Sequence, residues 1–139
     1  MSAASNYLEN ALLDHVLKNS SYAQPSNLYL ALFNNTSTIT ADNLEAGTLT
    51  DETSESGTAY GRKLVSFSEA SGGTAATSAT VTFEAATANW GTITHVAVMD
   101  LDTVGAGNVL FWGAVTTPKT IETGDTFQVT SGNLTISLA

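Results

Sequence analysis

The chain of 139 residues has no cysteine, so neither a disulfide framework nor a thiolate metal site is open to it. Basic residues are nearly as scarce, with four Lys and Arg against 13 Asp and Glu and a formal net charge of −9. Phosphate binding needs clustered cations. The one adjacent basic pair is Arg62-Lys63, which argues against bare nucleic acid as a partner. No apolar run approaches the ~20 residues needed to span a bilayer, so no membrane partner is expected. The N-terminus lacks the basic and uninterrupted apolar regions of a secretory signal. Charged residues make up 12% of the chain, about half the usual ~25%. Ser, Thr, Asn and Gly take their place on the surface. This profile suits a rigid β-rich binding or assembly module better than an enzyme, and the length fits a single domain over residues 1–139.

Read in order, the chain begins with its one convincing helix, over residues 6–18. Asn6 and Glu9 have capping-box spacing, and Ser5 is a second N-cap candidate. Leu8, Leu12, Leu13, Val16 and Leu17 share a broad arc, with Tyr7 and Ala11 opposite. So wide an apolar surface implies packing on the chain's own sheet and against something further, a neighbouring subunit or the end of a sandwich. Leu28 to Phe33 is apolar on both faces, as a central strand should be. Periodicity is then lost across 34–58, an acidic stretch holding Asp42, Glu45, Asp51, Glu52 and Glu55 and no base. A structureless loop of that length is usually functional or mobile, and it is expected to contact another subunit.

Strand patterns resume at Ala59–Phe67 and at Ser78–Phe83, where Ala79, Val81 and Phe83 should face inward. Asn89-Trp90-Gly91 reads as a turn into a β-branched strand that ends at Asp100. Val96 and Val98 should face one side of it, and Ala97 and Met99 the other. Asn108–Val115 completes a hairpin, Pro118 should break that strand, and two short strands close the chain. The expected fold is mainly β: an antiparallel, jelly-roll-like β-sandwich of about seven or eight strands with one N-terminal α-helix. Its core candidates are Leu30, Leu32, Phe83, Trp90, His95, Val96, Val98, Phe111 and Trp112.

Chemistry-bearing patterns are weak. Neither His15 nor His95 has a Cys or carboxylate at a recognised zinc spacing. Asp100-x-Asp102-x-x-Gly105-x-x-Asn108 loosely resembles a calcium loop but has Val104 where a third ligand belongs, and a hairpin loop is the simpler reading. No nucleophile–base–acid set or phosphate loop stands out, so no catalytic residue, metal or cofactor is assigned. Trp90 and Trp112 could form a sugar platform, although neighbouring β-branched residues favour the core. Tyr60-Gly-Arg62 is the best candidate for a specific contact, because a guanidinium pairs bidentately with a carboxylate. The acidic loop of a neighbouring copy could supply one. The candidate subunit contacts are therefore Tyr7, Leu8, Leu12 and Val16 on the helix, the five acids named above, and Tyr60 with Arg62.

Several segments together are similar to a family of small tailed-bacteriophage proteins. They are Asn6-Tyr-Leu-Glu, Leu12-Leu-x-His-Val-Leu17, Leu28-Tyr-Leu-Ala-Leu-Phe33, Tyr60-Gly-Arg62, Gly113-Ala-Val-Thr, Lys119-Thr-Ile and Gly124-Asp125. The most specific is Ala86-Thr-Ala-Asn-Trp-Gly-Thr-Ile-Thr-His-Val-Ala-Val98. The resemblance covers most of the chain outside 34–57. It implies a non-enzymatic virion protein, of a kind labelled tail fibre or structural protein, with no catalytic residues to carry over. Within that class, the short chain without a fibre shaft suggests a capsid decoration (cement) protein on the capsid exterior. Such a protein would be a dimer or trimer contacting the major capsid protein. The alternative is a tail fibre or baseplate-associated module binding host surface glycan.

Overall fold

The computed structural model describes residues 2–34, 37–38 and 40–138. Within the expected acidic loop, Asn35, Thr36 and Ile39 lie outside the described residues. The architecture is mainly antiparallel β, with nine strands and two helices among the described residues. Strands β1 (Ser2–Ala4), β7 (Val109–Ile121), β6 (Gly91–Met99), β2 (Leu28–Asn34) and β3 (Lys63–Val65) form a five-stranded sheet in that spatial order. Two small sheets complete the β structure. One pairs β4 (Thr74–Ala76) with β9 (Thr135–Ser137), and the other pairs β5 (Val81–Thr82) with β8 (Gln128–Val129).

β6 and β2 occupy the centre because both of their faces are apolar. Leu30, Leu32, Val96 and Val98 pack with Phe83, Phe127 and Ile136 from the small sheets and the segments beside them, forming the core between the layers. On the opposite face, Ala31, Phe33, Ala97 and Met99 pack with Val109 and Leu44. The interlayer core is rich in rings: Trp90 stands edge-on to Tyr60 (5.4 Å between centroids) and to Phe83 (6.3 Å). Its indole N–H donates to the Thr58 carbonyl at 2.8 Å. Trp90 is therefore closed to any external ligand.

Several expectations need correction. The first helix, α1, runs Asn6–Leu17, and its N-cap is Ser5 rather than Asn6. Ser5 is wholly buried, accepts from the Leu8 amide at 3.3 Å and donates to the Val109 carbonyl. A second helix, α2 (Thr40–Ala46), replaces part of the expected loop. Its end is closed in Schellman fashion, with Thr48 N–H donating to Asn43 O, Gly47 N–H donating to Leu44 O, and Gly47 at φ +79°. β7 continues through Pro118, because its pairing with β6 skips from His95↔Ala114 to Ile93↔Lys119. Proline sits in this irregular stretch, where no regular ladder bond is lost. A second irregularity, between Val98↔Phe111 and Met99↔Val109, sends Leu110 toward Ala4 and Leu8 beneath α1. Ala79, expected inside, is exposed, whereas Val81 and Phe83 are buried.

Candidate functional site

The expected contact residues separate into an internal knot and an external face. Arg62 leads into β3, and its side chain is fully buried. Its Nε and Nη2 donate to Glu52 Oε1 and Oε2 at 2.8 and 2.7 Å. Its Nη1 reaches the carbonyls of Leu101 (2.7 Å) and Ala106 (2.8 Å) in the β6–β7 connection. Glu52 also accepts from Gly105 N–H at 2.8 Å and from the Tyr60 hydroxyl at 3.0 Å, while that hydroxyl accepts from the Leu32 amide. The carboxylate expected from a neighbouring copy thus comes from ten residues earlier in the same chain.

This knot also accounts for the calcium-like loop. The guanidinium, not a metal, serves the loop carbonyls, and Asp100 accepts from the backbone and side-chain nitrogens of Asn108. Among the described residues no cluster of three or more His, Cys, Asp or Glu side chains is placed to hold a metal ion. Gly107 has φ +85°, and a Cβ there would lie 2.7 Å from Leu101 Cβ, so the tight loop requires glycine.

Most of the acidic segment folds back on its own sheet. Asn34 N–H donates to Asp51 O, Thr53 N–H donates to Leu32 O, and Glu52 bridges to Phe33. Asp51 is buried and accepts from Ser37 and Asn43. Half-buried Glu45 accepts from Trp112 Nε1 at 2.8 Å, which pins α2 across β7. Asp51, Glu52, Tyr60 and Arg62 therefore lie inside the protomer, and burial in their own chain removes them as accessible subunit contacts. Asp42 and Glu55 remain on the surface.

On α1, Leu8 is buried and Leu12 half-buried, but Leu13, Val16 and Leu17 are 56%, 74% and 74% exposed. Leu8 and Leu12 rest on the sheet beside Ala4 and Leu110, and Tyr7 on the other side is 43% exposed. Of the core candidates, Leu30, Leu32, Phe83, Trp90, Val96 and Val98 are buried, while His95, Phe111 and Trp112 are half-buried. His95 Nδ1 lies 2.9 Å from Thr94 Oγ1, and its ring leans on Trp112 at 6.2 Å. Burial lowers its pKa from 6.5, against the charge of Asp51. His15 accepts from the Tyr22 amide.

Sequence reasoning does not reveal a cleft of about 510 Å³ between β7 and the β8–β9 region. Its walls come from residues 96–98, 111–117, 119, 127–130 and 133–136, brought together only by the layering. The half-buried apolar residues Val115, Val129 and Leu134 are its local signal.

The sequence model of the family described as "Podophage GP4 fiber I protein gp80" matches residues 3–137. The chain belongs to this family. The match runs through the acidic segment, which the sequence resemblance alone had left out. It makes the chain a member of a phage virion structural family. No curated protein matches the chain.

Proposed function

We propose that this chain is a non-enzymatic subunit of a podophage fibre, working as a rigid assembly module of the tail rather than as a cement protein of the capsid. The observation that carries this reading is the fibre family's match across residues 3–137, nearly the whole chain. The build of the domain supports it. The buried Arg62–Glu52 ion pair is spent on internal rigidity, the chain is poor in charge, and its helix α1 presents the aliphatic side chains of Leu13, Val16 and Leu17 outward. These are the properties of a part that is held among other proteins.

Quantitative mass spectrometry of purified virions, with antibody labelling in the electron microscope, tests this reading. A fibre subunit gives label at the tail and a few dozen copies at most. Copies on the order of hundreds, as a symmetric shell requires, with label over the head, would overturn the fibre assignment and restore the cement reading.

A further inference from the structure

The two layers of the sandwich diverge along β7. On that side Val115, Val129 and Leu134 are half-buried walls of the 510 Å³ cleft, over a floor that includes Phe111 and Ile136. The same Phe111 and Ile136 line a second hollow of about 320 Å³ that opens elsewhere between the layers. Protein interiors are close-packed, so a core open to this extent has apolar surface to cover.

β1 shows how an edge here is covered. Its three residues pair antiparallel with Phe111–Gly113 and also lie against β9. Beyond Gly113, no strand among the described residues pairs with the outer edge of β7. The line drawn by β1 therefore leads directly along Ala114–Thr117 and into the cleft. Pro118 supplies no N–H, which confines further main-chain pairing to the stretch before it.

We propose that this cleft is a self-association surface, in which a second copy of the chain lays an extended segment alongside Ala114–Thr117 and over the apolar walls. Charge selects a copy as the occupant. The lining contains no carboxylate and one cation, Lys119. Of the four cations, Arg62 pairs with Glu52 and Lys63 with Glu84, whereas Lys119, like Lys18 at the end of α1, makes no ion pair among the described residues. A second copy offers 13 acids against four bases. Two chains of net charge −9 repel over most of their surfaces, and an acid-free lip is where they can approach. Placement in head or tail does not enter this inference.

Sedimentation velocity of the full chain over a concentration series tests it. The chain should associate reversibly. Exposed Lys119→Glu and Thr117→Glu, which put like charge on the lip, should each raise the dissociation constant by about tenfold or more. Far-UV circular dichroism should match that of the parent, since both side chains are at the surface. Val16→Asp, on the exposed face of α1, should leave association unchanged. A chain that stays monomeric up to ~1 mM would overturn the proposal. So would association that is lost with Val16→Asp but indifferent to both lip variants.

Discussion

Arg62 illustrates how much of this fold depends on one side chain. Its guanidinium joins three segments distant in sequence: the return strand at Glu52, its own approach to β3, and the connection after β6. Both members of the pair have side chains that are 2% exposed or less, so neither charge is served by solvent. Removing one member of a buried pair strands the other. Arg62→Ala should therefore destabilise the domain by about 3–5 kcal/mol, read from the urea midpoint at constant slope. The double variant Arg62→Met/Glu52→Leu should recover only part of that loss: no orphan carboxylate remains, but Gly105 N–H and the Leu101 and Ala106 carbonyls lose their partners. A cost for Arg62→Ala near that of an exposed pair, under ~1 kcal/mol, would mean that water replaces the guanidinium and that the knot is not what ties the loop down.

At the level of elements, α1 is attached at one end. Ser5 joins cap to sheet: the same hydroxyl accepts from the Leu8 amide and donates to the Val109 carbonyl, and Ser5 N–H donates to Leu110 O at 2.9 Å. Ser5→Ala removes the cap and orphans a buried carbonyl, so a loss of about 1–2 kcal/mol is expected. The amide of Leu8 should lose protection from hydrogen exchange more than amides of β6. Equal loss everywhere would show that the helix and sheet open as one unit. Which elements the sequence revealed follows from how local their causes are. The two-faced apolar runs of β2 and β6 state their central position within a few residues, and the sheet order agrees. In α2 the apolar signal is reduced to Leu44 among acids, although Gly47 and Asp42 were readable as its stop and its acidic first turn. Pro118 reads locally as a strand end, because the irregular pairing that accommodates proline depends on β6, about 25 residues away. Tyr60-Gly-Arg62 points to a carboxylate partner on a neighbouring copy, but the return of residues 51–53 to β2 places Glu52 of the same chain beside Arg62. The cleft had no local signature strong enough to read, since its walls meet only through the pairing of β8 and β9 with β5 and β4.

For the molecule as a whole, the titrating groups bracket the pH range in which the fold is most secure. On the acid side, burial lowers His95 from 6.5, with Asp51 opposing. Between the two pKa values the unfolded chain binds a proton that the folded chain refuses. Stability therefore falls as pH drops below about 6.5 and through the folded value. On the alkaline side, burial and then the charge of Glu52 hold the Tyr60 phenol well above 10.0. Unfolding releases that phenol to ionise, so the stability it protects is present below pH 10 and is lost as pH rises beyond it. Tyr22, also raised from 10.0 chiefly by burial, acts in the same sense. Thermal melting should thus show a plateau from about pH 7 to 9 with a decline on each side. His95→Gln should flatten the limb that begins below about pH 6.5, because the replacement cannot take up the proton. That limb begins above the titration of Glu84, which Lys63 lowers from 4.5 and whose contribution is lost only in stronger acid. Tyr60→Phe should lower the whole curve, since Leu32 N–H and Glu52 lose a partner, yet reduce its alkaline slope and leave the share due to Tyr22. An acid limb of unchanged slope in His95→Gln would assign that loss to the carboxylates of the −9 surface instead of to the ring that β6 holds against Trp112.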